Sequence, residues 1–343
     1  MDPMPTSAPR AGVLRAAAFG VPFEVRVDDA RLLPAVEERL PPGWTHAHRP
    51  PALVLSLIHE VSDTSFWMDR AAERKVGSRR RSTPVYGLSV RLDGHPVARG
   101  LSHPDALDVF ESELQLCVAR LARPEVFVHA GVVGVGRRAI LVPGRSGSGK
   151  TTLVRALVEA GATYYSDEYA VLDGAGHVHP YPRRPSVRVS GGGKERHPVP
   201  HGHGRTPLAV GLIVETRYRA GARWAPVPLT TGECVLALLS NTVPARDRPA
   251  EVLAVLARAS ARARGVRGDR GPAAKTAGAL IAMARGGSGG AATSAARPKR
   301  GARSSSARAV GAKPGKRTGS KPARAGGVRR PRAPSKTHRP ELP

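Results

Sequence analysis

The sequence predicts an α/β domain with a smaller α+β domain before it and a disordered basic tail after it. Three observations predict this. A glycine-rich loop at 144–151, Gly-Arg-Ser-Gly-Ser-Gly-Lys-Thr, lies between an apolar run at 139–142 and a stretch whose apolar residues recur at helical spacing. Short strand-like runs and one long amphipathic helix fill 11–123. After Arg285 periodicity stops, and Ser, Gly, Ala, Pro, Lys and Arg follow one another with almost no large apolar residue. The expected organisation is an unstructured 1–10, an α+β domain at 11–123, an α/β domain at 124–285 and the tail at 286–343.

In the first domain, residues 19–27 alternate: Phe19, Val21, Phe23, Val25 and Val27 on one side, polar or small residues on the other, as in a half-buried strand. Residues 52–58 form a second strand candidate. The basic stretch 69–83 reads as a solvated loop. Asp93-Gly94 between 85–92 and 96–99 signals a hairpin. Leu107, Phe110, Leu114, Cys117, Val118 and Leu121 recur at helical spacing, so a helix is expected over 105–123, with Ser102 and Asp105 at its start and Pro124 beyond its end.

In the second domain, strands are expected at 126–133 and 139–142, a helix at 150–160 stopped by Gly161, then strands at 163–166 and 169–173. Residues 181–204, rich in Pro, Gly and basic residues, read as a long loop. The apolar run 209–215 reads as a buried strand paired with 223–229. Helices are expected at 231–239, 250–264 and 273–284.

The chain has 343 residues and a net charge of +27. The segment 286–343 alone carries fifteen Lys and Arg against one acid, Glu341, so nucleic-acid contact is expected only through the tail. Cys117 and Cys234 are far apart and in no CxxC pair, which excludes a disulfide framework or a cysteine zinc site and suggests a reducing cytosol. The N-terminal apolar stretch is short and broken by Arg15, and no run reaches the length of a membrane helix. A cytoplasmic protein without membrane contact is expected, and a homo-oligomer is compatible with it.

The loop matches the phosphate-binding pattern G-x-x-x-x-G-K-[ST]. Gly144, Gly147 and Gly149 let the backbone bend so that N–H groups face a phosphate. Lys150 brings charge to the β- and γ-phosphates, and Thr151 offers a hydroxyl to Mg2+. The expected ATP contacts are Gly144, Arg145, Ser146, Gly147, Ser148, Gly149, Lys150, Thr151 and Thr152. Ser166-Asp167-Glu168 closes a strand that returns beside the loop. A carboxylate there can hold Mg2+ or accept the proton of an attacking hydroxyl, and two adjacent acids can divide those tasks. Thr151, Asp167 and Glu168 are the expected Mg2+ ligands. His129, on the strand before the loop strand, is a third candidate. A satisfied strand histidine is its bland alternative.

The blocks Val128-His129-Ala130-Gly131, 144–151 and Tyr165-Ser166-Asp167-Glu168 resemble the catalytic domain of the HPr kinase/phosphorylase family in order and spacing. His129 precedes Lys150 by twenty-one residues, and Asp167 follows it by seventeen. That family is similar in its loop to phosphoenolpyruvate carboxykinases. The resemblance implies a P-loop kinase domain with a mixed sheet, Mg-ATP, and transfer to a serine hydroxyl on a small protein or peptide. It implies Asp167 as proton acceptor, supported by His129 and with Lys150 in the catalytic set. Glu168 stands where the family has a second aspartate. The run from His129 through Asp173-Gly174 to His179-Pro180-Tyr181-Pro182 resembles more closely divergent HPr-kinase-like proteins, some of which accompany peptide-modification systems. The likeness covers 126–185 well and the rest to Leu239 weakly.

The sequence departs from the family after the acids. The Arg-Gly-rich signature is absent, and 188–194, in its place, holds no glutamate for metal. The reverse phosphorylase reaction and HPr itself as substrate are therefore not carried over. Two rival readings remain. The run 211–215 closes on Glu215, as the second acidic strand of an ordinary ATPase or small-molecule kinase would. A regulatory ATP-binding module without catalysis is the other.

Overall fold

A computed structural model describes residues 10–63, 84–145, 147–188, 194–198 and 202–286. The expected unstructured N-terminus, the basic loop at 69–83, Ser146 and the tail from 287 lie outside the described residues. What is described belongs to one unit, Met1–Ala291. It is mixed α/β, with two mixed sheets, a two-stranded ribbon and six α-helices.

The first sheet holds β1 (Gly12–Ala18), β2 (Val21–Val27), β3 (Thr45–His46), β4 (Val54–Asp63), β5 (Pro84–Leu92) and β6 (His95–Leu101). Their order is β3-β1-β2-β4-β5-β6, with β2 and β4 parallel and the other pairs antiparallel. The alternation at 19–27 is not one strand, as expected, but a turn leading into β2. Phe19 and Gly20 both take positive φ, at 49° and 74°, and reverse the chain between β1 and β2. Asp93 and Gly94, at φ 49° and 81°, make the expected hairpin between β5 and β6. The short α1 (Leu33–Glu37) crosses between β2 and β3. Next, α2 (His103–Leu121) starts where Ser102 Oγ accepts the N–H of Asp105 at 3.3 Å. Its buried face, Phe110, Leu114 and Val118, joins Phe23, Val25, Leu55 and Leu57 in one core. Each such side chain contributes about 1.5–3 kcal/mol by leaving water.

The second sheet is built on β7 (Val126–Val135) and β8 (Arg138–Pro143), an antiparallel pair. From β8 the chain passes through the glycine loop into α3 (Lys150–Glu159), then β9 (Thr163–Ser166), β10 (Tyr169–Leu172) and β11 (His177–His179). The stretch expected to be a long loop contains a ribbon, β12 (Ser186–Arg188) against β13 (Lys194–Arg196). Then come β14 (Leu208–Tyr218), β15 (Val227–Leu229), α4 (Thr231–Leu239), α5 (Pro249–Ser260), β16 (Arg264–Arg270) and α6 (Ala273–Arg285).

The sheet order is β11-β10-β7-β8-β14-β16-β15, and β11 also pairs with β14, which closes a ring through five strands. Two expectations fail here. β15 does not pair with β14; β16 lies between them, parallel to β14 and antiparallel to β15. The helix expected over 250–264 ends at Ser260, leaving Arg264 to open β16. β16 tolerates glycines because neighbours crowd it: a Cβ on Gly265 would lie 2.1 Å from Cys234 Sγ. The two sheets share a core. Phe127 of β7, with Tyr169 and Tyr181, packs among the buried residues of the first sheet, and Phe19 meets Phe127 edge-on at 5.1 Å.

Candidate functional site

The glycine loop leaves β8 at Pro143 and turns at Gly147 and Gly149, whose φ values of 82° and 83° suit glycine alone. Gly149 caps α3 without any side-chain bond, so the first N–H groups of the helix stay open to an acceptor. Lys150 is buried, and its Nζ donates to the carbonyls of Gly144 at 2.7 Å and Arg145 at 3.0 Å. The loop thus curls around its own lysine. Burial pushes the ammonium pKa down, while Glu168 and Asp167 pull it back up. α3 lies close over β7 because Gly131 has no side chain: a Cβ there would stand 2.5 Å from Val154 Cγ2.

β9 and β10 are two halves of one strand along β7. Thr163 to Ser166 pair with Gly134 to Val132, and Tyr169 to Leu172 pair with His129 to Val126. Between the halves, Asp167 and Glu168 form a break in the ladder, and such breaks re-aim side chains. Buried Ser166 fixes it, its Oγ accepting the N–H groups of Glu168 at 3.2 Å and Tyr169 at 3.0 Å.

Asp167 turns toward α3. Its Oδ2 accepts the hydroxyl of Thr151 at 3.0 Å, and its Oδ1 accepts that of Tyr164 at 3.0 Å. The residue is 4% exposed. Burial raises its pKa above the usual carboxylate value, only partly offset by the Arg183 charge and the two hydroxyls. Glu168 turns the other way, toward His129, whose Nδ1 lies 3.6 Å from Oε1, and toward Arg183 at 3.9 Å. Its burial is outweighed by the His129 contact and by the charges of Arg183 and Lys150, so its pKa is lowered. Both Glu168 and His129 keep about a third of their side chains exposed. Arg183 reaches back to α2, bonding Gln115 Oε1 at 2.8 Å and pairing with Glu111 at 3.1 Å. The peptide of His129 also carries the loop, since its carbonyl accepts the Gly144 N–H at 3.1 Å.

Neither a protein-family model nor a curated protein matches this chain.

The fold therefore brings Lys150, Thr151, Asp167, Glu168 and His129 to one end of the β7–β8 pair. Arg145, Gly147 and Thr152 are exposed around them, and Ser148 is half-buried. Two clefts flank this end. One, of about 270 Å³, is lined by Thr151, Asp167, Tyr164, Arg155 and His197. The other, of about 560 Å³, is lined by His129, Arg145, Asn241 and Arg246. Glu215 is engaged elsewhere, bonded to Arg267 at 2.9 Å.

Among the described residues no group of three or more His, Cys, Asp or Glu is arranged to hold a metal. Mg2+ asks less of a protein, since it takes one or two carboxylates and fills its shell with phosphate and water. The hard oxygens of Thr151 and Asp167, 3.0 Å apart, fit that demand. Tyr164, Arg183 and Ser166 take part in the site without having been singled out for these roles in the sequence. The spacing of Tyr164 from Asp167 along β9 was visible, but its role depends on the break after Ser166.

Proposed function

We propose that this protein is an ATP-dependent kinase that moves the γ-phosphate of Mg-ATP to a hydroxyl, a serine of a small protein or peptide. The observation that carries the reading is the meeting of Thr151 and Asp167 at 3.0 Å, at the mouth of a loop that already encloses Lys150. In this reading the open N–H groups of α3 and Lys150 bind the phosphates. Thr151 with Glu168 would hold Mg2+, which when bound neutralises charge on the transferring group. An acceptor hydroxyl enters by the cleft beside Asp167, which takes its proton, with His129 in support.

A second assignment of roles within the same reaction has its own support. Both oxygens of Asp167 already accept hydroxyl bonds, which suits a metal ligand, whereas Glu168 is more exposed and faces His129. Glu168 would then take the proton. The engagement of Glu215 by Arg267 favours either assignment over an ATPase built on Glu215.

The test is incubation of the purified protein with labelled ATP and cell lysate, followed by identification of the labelled species. Label on a protein or peptide supports the reading. Label on small molecules alone points to a small-molecule kinase. ATP binding without transfer points to a regulatory module.

A further inference from the structure

We propose that Arg270 is a positioning residue for the bound nucleotide: a buried counter-charge behind the glycine loop that only a polyphosphate offsets. The inference rests on the kinase reading and concerns the same loop. Arg270 ends β16 and is 2% exposed. One guanidinium nitrogen donates to the Gly149 carbonyl at 2.9 Å and another to the Gly271 carbonyl at 3.2 Å. The third, Nε, has no partner, and the group sits 5.7 Å from the Tyr218 ring centroid. No ion pair involving Arg270 occurs among the described residues, and nearby Asp269 pairs with Arg219.

This is an unusual way to bury a guanidinium. A buried cation is normally paired, because losing water costs several kcal/mol. Here two carbonyls and the Tyr218 ring relieve it in part, and no carboxylate pairs with it among the described residues. Gly149 is the cap of α3, so Arg270 stands behind the positive end of a helix dipole, beside buried Lys150. Lys150 has Asp167 and Glu168 within electrostatic reach; for Arg270, among the described residues, the Tyr218 hydroxyl alone offsets part of the burial. Three positive features thus converge on an end of the helix whose N–H groups are open. An anion at the loop relieves all three at once.

The contact also has a geometric effect. The guanidinium takes the outer side of Gly149, where a Cβ would lie 2.6 Å from its Nη2. The carbonyl already accepts the Leu153 N–H of the helix at 3.1 Å, and Arg270 adds a second donor that fixes the loop-to-helix junction from outside. Gly149 is thereby required twice, for its φ and for this contact.

The experiment compares full-length wild type, Arg270→Gln, Arg270→Lys and Lys150→Ala. Calorimetric titration with inorganic pyrophosphate and with Mg-ATP is run at two salt concentrations, with ligand-free melting temperatures alongside. Glutamine keeps a donor for the Gly149 carbonyl and removes the charge. Arg270→Gln is expected to melt, without ligand, no lower than wild type, to bind both ligands at least about tenfold more weakly, and to show a shallower salt dependence. Arg270→Lys is expected to recover part of the affinity. If Arg270→Gln binds pyrophosphate as wild type does while Lys150→Ala does not, the proposal is overturned and the kinase reading stands. Equal affinity loss in the glutamine and lysine variants with an unchanged salt slope also overturns it, because shape rather than charge would then matter. If wild type binds neither ligand, the kinase reading itself is overturned.

Discussion

The hydroxyl of Thr151 and the carboxylate of Asp167 are in hydrogen-bond contact at 3.0 Å, although one opens a helix and the other interrupts a strand sixteen residues later. The contact joins the glycine loop to the acid pair. Under the proposed function it makes Asp167 the residue where magnesium binding and proton transfer would be separated by measurement.

Asp167→Asn keeps the shape and one of the two accepted hydroxyl bonds, the other hydroxyl having to turn and accept from the amide, and it removes the basic oxygen. As proton acceptor, its loss should lower phosphotransfer by roughly 100-fold or more, with Mg-ATP affinity changing much less. If Asp167 is chiefly a metal ligand, rate and affinity fall together, and Glu168→Gln becomes the variant that lowers rate alone. His129→Ala should lower the rate more mildly. Initial rates and nucleotide affinities for all three variants decide between these roles, and a wild-type rate in Asp167→Asn would sink its assignment to the reaction altogether.

Lys150→Ala should abolish most Mg-ATP binding, since a charge-assisted contact in a partly desolvated loop is removed, a loss of about 1.5–3 kcal/mol or more. The ligand-free fold should be nearly indifferent, because the lysine bonds only carbonyls of its own loop. Calorimetry and a melting curve give the two readouts. Unchanged affinity would place the nucleotide elsewhere.

Asp167 should also shape stability against pH. Its folded pKa is raised, chiefly by burial. Its contribution is therefore fully present below the ordinary carboxylate pKa and is lost as pH rises through the raised folded value. Glu168, with a lowered pKa, works in the opposite sense: its contribution is present above its ordinary value and is lost as pH falls through the lowered one. Glu168 is common to wild type and Asp167→Asn, so to first order it cancels in their comparison. Without ligand, the asparagine variant should gain on wild type as pH rises from about 3 to 7. Parallel melting curves across that range would mean that the carboxylate is not penalised by its burial.

Gly131→Ala should destabilise the protein by about 1–3 kcal/mol, because the new Cβ would meet Val154 Cγ2 at 2.5 Å. Adding Val154→Ala should restore much of the loss, a coupling that a double-mutant cycle in denaturant measures. Additive effects would show that the helix does not rest on β7 at this point.

The parts of the molecule legible in the sequence are those whose signal is local. The glycine loop with its flanking strand and helix, the Asp93-Gly94 hairpin and α4, capped by Thr230 with Glu233, all carry their cues within a few residues. Phe19 misled because an apolar aromatic at positive φ continues the alternation of β2 straight through the turn. β16 was not legible because its glycines and arginines carry no β pattern. Gly265 is small to admit Cys234, from a helix thirty-one residues earlier. For the same reason Arg270 could not be connected with the loop. Arg183 likewise acquires meaning only when Glu111 and Gln115 of α2 are brought against it. The convergence of Lys150, Thr151, Asp167 and His129, by contrast, follows from the order of strands and helix around one loop.

The closure of β11 onto β14 has a consequence for how the chain behaves in a crowd. A strand with an unpaired side is a template for another molecule. In the ring, β10, β7, β8 and β14 have neighbours on both sides, and the outermost strand beyond it, β15, is three residues long with Pro228 at its centre, which has no N–H to offer. The first sheet ends in the two-residue β3 on one side and in β6, which carries Pro96 and Arg99, on the other. Among the described residues, these rims of the two main sheets are too short, too basic or too poor in donors to recruit a foreign strand. Concentrated preparations of this protein should therefore resist fibril formation, despite an interior built largely of sheet.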